Sequence, residues 1–235
     1  MCIRDSPTSD HVQIIDISDP TNIVAKDSAT DDDADEETEF DELDGAQDVE
    51  TFTIGSSTYA IVASNVDDGV QIIDISDVDN IVAKDSATDG ADGFDELEGA
   101  FGVETFTIDS STYAIVVSDD DDGVQIIDIS DPENIVAKDS ATDGAGGFDE
   151  LDKARGVDVF TIDSSTSTST YAIVASYGHA VKDIGDDGVQ IIDISDPANI
   201  VATDSETDDV NGFDELEGAR GVETFIINSV VYAIV

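Results

Sequence analysis

The sequence predicts an all-β protein, a β-propeller of four-stranded antiparallel blades with about four blades present. Three observations predict it. One long block recurs four times; each copy holds four short apolar runs; and those runs are apolar at both alternating positions. Val, Ile, Thr, Phe and Tyr dominate the runs, which favours strands. A strand wetted on one face alternates cleanly, so apolar residues at both parities imply sheets covered on both sides. Four strands per unit of roughly 40 to 60 residues, stacked face to face, describe a propeller blade.

The block "VQIIDISD" begins at Val12, Val70, Val124 and Val189. Around it each unit reads, in blade order, "GVETFTI" (run a), "TYAIVAS" (run b), "GVQIIDIS" (run c) and "NIVAKDSAT" (run d), with small variations. Gly, Asp and Ser between a and b predict a tight hairpin turn. "SDP" after c predicts a second turn, its proline where no amide donor is needed. Within c, Val124, Ile126 and Asp128 point one way and Gln125, Ile127 and Ile129 the other. Within b, Ala172 and Val174 oppose Ile173 and Ala175. After d comes an acidic connection ending in "FDEL" at Phe40, Phe94, Phe148 and Phe213; its Phe and Leu are expected to pack on the blade while Asp and Glu face water.

These units give a partial blade at 10–31, blades at 45–89, 99–143 and 154–208, and a partial blade at 218–235. Residues 1–9 match nothing in the repeat and are set apart as a non-native or disordered terminus. The two partial blades complete one blade if the ends meet, giving a closed four-blade ring. The favoured expectation is a fragment of a larger propeller. An unclosed propeller exposes apolar end faces and is expected to associate.

Fifty-seven Asp and Glu against 8 Lys and Arg give a formal charge of −49. Such a polyanion repels phosphate backbones and anionic lipid, so neither nucleic acid nor membrane insertion is expected. The apolar fraction of 40% argues against disorder. High acidity also fits a halotolerant protein kept soluble in saline water. Cys2 is the single cysteine, which excludes an intrachain disulfide.

Catalytic motifs are absent: no GxSxG, HExxH, P-loop or CxxC occurs. His11, standing where the other copies have glycine, and His179, in a loop insertion, share no motif. The acidic pairs before run c, Asp67-Asp68, Asp121-Asp122 and Asp186-Asp187, each precede a glycine. Clustered carboxylates supply oxygen ligands for Ca²⁺, so Ca²⁺ is a candidate cofactor, although "SDDDDGVQIIDI" is no EF-hand loop. The plainer reading is an Asp-Gly turn. In a propeller the b–c and d–a loops share a face, which places these pairs with Glu96, Glu150 and Glu215 on one acidic rim. The insertion at 176–188, carrying Tyr177 and His179, lengthens a loop on that rim, where recognition residues often lie.

The combination "GVQIIDISDPxNIV" after "YAIVAS" resembles the LVIVD-repeat β-propellers of bacterial and archaeal surface proteins. The resemblance covers about residues 11 to 235 and implies an extracellular or cell-surface scaffold without a general catalytic motif. The long "GFDELEGAR" connections depart from the family pattern. Two functions follow as expectations. The first is a non-catalytic interaction or adhesion scaffold binding a protein, glycan or cation through acidic loops. The second is a propeller-scaffolded enzyme whose catalytic residues lie in the 176–188 loop or in sequence beyond this chain.

Overall fold

The computed structural model describes residues 10–31, 40–165, 167–178 and 187–235. Sixteen strands run through them, and no helix is found among the described residues. β1 (His11–Asp16) and β2 (Val24–Thr30) form a two-stranded sheet. Three four-stranded antiparallel meanders follow. The first comprises β3 (Ala46–Ile54), β4 (Ser57–Ser64), β5 (Gly69–Asp74) and β6 (Val82–Thr88). The second is β7 (Ala100–Ile108), β8 (Ser111–Ser118), β9 (Gly123–Asp128) and β10 (Val136–Thr142). The third is β11 (Ala154–Asp163), β12 (Thr168–Ser176), β13 (Gly188–Asp193) and β14 (Val201–Thr207). β15 (Glu223–Ile227) and β16 (Val230–Ile234) close the series as a second two-stranded sheet.

The architecture is a β-propeller. Runs a to d become the four strands of a blade, and the a strands β3, β7, β11 and β15 neighbour one another along the inner side. The stacking is visible in consecutive residues. In β4, Ile61 packs in one core cluster with Phe106's blade partners Val103, Val116 and Ile129, while the next residue, Val62, packs in another with Val12, Leu43 and Ile81. Both are fully buried. Each blade is therefore sandwiched between two apolar interfaces, which is why its runs lack a polar face. Fully burying such side chains is worth about 1.5–3 kcal/mol each.

Turns follow the expected chemistry. The two-residue a–b hairpins place Gly55 and Asp109 at left-handed φ, 64° and 56°, where glycine and aspartate are tolerated. The "DIS" and "SDP" stretches fold as turns in which aspartate caps an amide two residues on: Ser76 N–H donates to Asp74 and Glu133 N–H to Asp131, at 2.9 and 3.2 Å. The c–d pairs share a bulge, since Ile73 pairs with Ala83 but Gln71 with Ser86. The two terminal sheets stay separate: among the described residues no strand joins β1–β2 to β15–β16.

Candidate functional site

The acidic connection before each a strand folds over the rim and is bolted to the rest of its blade. In the second blade, Asp95 N–H donates to Gln125 Oε1 at 3.1 Å. Gln125 Nε2 donates to the Ile126 and Asp139 carbonyls, filling the bulge between β9 and β10. Ser118 Oγ donates to the Glu96 carbonyl, and Leu97 N–H to Asp89 Oδ1. Gln71 and Gln190 repeat these bonds in the flanking blades. A strand-centre glutamine, polar in an apolar run, is thus the acceptor for a loop amide and the donor that satisfies a bulge.

The "FDEL" glutamates depart from expectation. Asp41, Asp95 and Asp149 are exposed, but Glu42, Glu96 and Glu150 are buried, so these three do not face water. Thr88, Thr142 and Thr207 hydroxyls donate to their Oε1 atoms. Their Oε2 atoms lie against the bare Cα of Gly69, Gly123 and Gly188, in space that a Cβ would occupy. This explains the glycine opening run c: it cradles a carboxyl group. Oε2 of Glu42 and of Glu96 has no hydrogen-bond partner. Burial pushes Glu42 up to about 8 and Glu96 up to about 7, against the opposing Thr hydrogen bond and helped by nearby Asp67 and Asp121. Glu215 behaves differently. It is exposed: among the described residues β15–β16 is a two-stranded sheet, and no glycine and threonine stand against this side chain as they do for Glu96.

The acidic pairs are stitches. The first aspartate accepts from its own blade, Asp67 from Asp44 N–H at 2.6 Å and Asp121 from Glu98 N–H at 2.7 Å. The second accepts from the next blade: Asp68 from Gly99 N–H, Asp122 from Lys153 N–H and Asp187 from Gly218 N–H. Burial, with repulsion from Asp31 and Asp89, raises Asp67 to about 7 and Asp121 to about 6. Burial also raises Asp122. In run d, Asp27, Asp85 and Asp139 reach the Ile81, Ile135 and Ile200 amides of the following blade. Asp186 and His179 lie outside the described residues. His11, the first residue of β1, is exposed. Regarding Ca²⁺, no group of three or more His, Cys, Asp or Glu among the described residues is arranged to hold a metal ion.

A second polar feature went unread in the sequence. The a strands line a central groove of about 360 Å³, walled by Asp48, Glu50, Glu104 and Glu223 and topped by Arg155 and Arg220. Burial first, then repulsion from Glu50, pushes Glu104 up to about 7. Glu50 is also raised, by burial and by Asp48 and Asp158. At the mouth, Tyr177 sits between two guanidinium groups, Arg155 and Arg220, each 4.5 Å from its ring centre. Arg155 also lies 4.9 Å over Phe101 and is paired with Asp119, which Lys153 joins at 3.3 Å. Where strand a begins, directly after an alanine common to all four copies, the sequence reads Gln47, Phe101, Arg155 and Arg220.

No protein-family model matches the chain, and no curated protein matches it. Solved structures do. A functionally unknown protein from Desulfotomaculum acetoxidans superposes with TM-score 0.59 at 12% identity, over 97% of this chain and 57% of that one. The exo-β-1,3-galactanase of Phanerochaete chrysosporium with galactose gives TM-score 0.51 at 12% identity, over 86% and 44%. The WD40 domain of SCAP from fission yeast gives 0.42 at 10%, over 97% and 46%. The chain thus spans about half the length of the structures it matches, and at these identities the likeness is one of fold.

Proposed function

We propose that the chain is a non-catalytic β-propeller scaffold, extracellular or displayed at a cell surface as its resemblance to LVIVD-repeat proteins implies, that binds a partner protein through the central groove. The observation supporting this is a convergence of like charges: Glu50, Glu104 and Glu223, one position of strand a in three copies, share the groove wall with Asp48, and Arg155 and Arg220 stand beside them where the other copies have Gln47 and Phe101. Carboxylates that raise one another's pKa gain from a cation between them, so the partner presents a lysine- or arginine-bearing segment. Glu50→Gln/Glu104→Gln and a rim control, Glu98→Gln/Asp120→Asn, are titrated against a fluorescent oligolysine peptide in moderate salt. Loss confined to the groove variant is expected. Equal loss in both, or no binding by the parent chain, rejects the reading.

A second reading, an enzyme on the same scaffold, draws on Glu104: an acid held protonated to about pH 7 beside other carboxylates is poised for proton transfer. Hydrolysis of aryl glycosides that is abolished in Glu104→Gln would favour it over the scaffold.

A further inference from the structure

The connection between β6 and β7 is held by two blades at once. Its amides are taken by Gln125 and Asp121 of the blade it covers, by Asp89 at its own start, and by Asp68 of the blade before. Leu97, beside Glu96, is fully buried in the core shared by these blades. Leu43, beside Glu42, is buried likewise. Within this seat each glutamate makes a contact that a proton controls. Oε1 accepts from Thr88 or Thr142, and Oε2 has no hydrogen-bond partner. The hollow that Oε2 fills over Gly69 or Gly123 is bordered by the carbonyl oxygen of Ala87 or Ala141. A neutral acid suits such a place, because its hydroxyl can turn toward an acceptor. A carboxylate there meets an acceptor and no donor. The charged groups around the seats add to the cost of ionising: Asp67, Asp31 and Asp41 around Glu42, and Asp121, Asp89 and Asp95 around Glu96, with no cation among them.

We propose that the acidic connection over each full blade is a latch worked by proton loss from its buried glutamate: shut while the carboxyl is neutral, and lifted from the rim together with its leucine once the carboxyl ionises. Glu150, held by Thr207 over Gly188, places the third latch. A lifted glutamate ionises near 4.5, as in water, whereas a seated one ionises at about 7 for Glu96 and about 8 for Glu42. Closure therefore has its full strength below about 4.5 and fades as pH rises through 7 to 8. For Glu96 alone the opening constant grows on the order of 50-fold between pH 5 and 8. Lifting has a second effect, because the same connections carry the stitches between blades. Gly99 leaves Asp68 and Lys153 leaves Asp122, so neighbouring blades loosen along the rim as the apolar seat of Leu97 or Leu151 is uncovered.

Amide hydrogen exchange on the full chain between about pH 5 and 8, divided by the intrinsic base-catalysed rate, reads the latch directly. Opening constants at the Asp95 and Leu97 amides should rise with pH and exceed those of Ile115 and Val116, in the middle of β8, throughout. A flat profile at Asp95 and Leu97, or constants equal to those of Ile115 and Val116, overturns the latch, since the second result means that only the whole chain opens. Glu96→Gln stays neutral at every pH, so Asp95 and Leu97 should lose most of their rise while Asp41 and Leu43, over Glu42, keep theirs. The same rise in the variant contradicts the assignment to Glu96. Should Glu96→Gln fail to fold, carbon-13 titration of the Glu42 and Glu96 carboxyls in the unmodified chain decides. Midpoints near neutral support the latch, and midpoints in the ordinary carboxylate range overturn it. None of these readouts depends on the groove or its ligand.

Discussion

Glu96 and Glu215 occupy the same place in the same motif and meet opposite fates. Glu96 is 8% exposed, accepts from Thr142, and rests on Gly123. Glu215 is exposed. Their immediate sequence, "GFDELEGA", is identical. The difference lies more than twenty residues downstream, in whether the c and d strands of that blade are present to receive the side chain. A full blade is thus clasped from first loop to last strand, and a half blade keeps the clasp open.

The comparison breaks most sharply at the cradle. Gly123→Ala puts a methyl where the Glu96 carboxyl lies and should cost about 3 kcal/mol in urea unfolding, through overpacking and a displaced acid. A change near zero would mean that the glutamate has room to move and locks nothing. The inter-blade stitches come next. Asp139→Ala strands the Ile200 amide and should cost about 2 kcal/mol, whereas Asp204→Ala, whose carboxylate takes only the neighbouring Ser205 amide among the described residues, should stay within about 0.5 kcal/mol. Equal effects at the two sites would erase the distinction between full and terminal blades.

Much of this fold was legible from residue types. Dual-parity apolar runs such as "YAIVAS" bury both faces, and Gly55 and Asp109 take the turn positions their chemistry suits. The rim was read only in part. Asp-Gly before run c does make a turn, but Asp68 and Asp122 also reach across to the next blade, and sequence spacing does not reveal which amide lies opposite. Propeller loop geometry places Glu96 and Glu150 on the acidic rim with their carboxylates toward water, yet both are buried. Their burial depends on a glycine and a threonine from two other strands. The groove is not evident from spacing, because Glu50, Glu104 and Glu223 lie more than fifty residues apart as copies of one strand position and only the packing of neighbouring a strands brings them together.

The smallest effect belongs to the surface. Glu133 reaches Lys84 of the preceding blade at 3.2 Å, but its side chain is 76% exposed. Glu133→Gln should therefore change unfolding by about 0.3 kcal/mol and less at high salt.

The account depends most on the buried glutamates being neutral clasps. Glu96 ionises near 4.5 in an unfolded chain and only near 7 in the fold, so its contribution is full below about 4.5 and lost as pH rises through 7. Unfolding free energy measured by urea titration between pH 5 and 8 tests this directly. The parent chain should weaken with rising pH, and Glu96→Gln should lose about one proton's worth of that slope, roughly 1.4 kcal/mol per pH unit at its steepest. Parallel curves for the parent and Glu96→Gln would contradict the account.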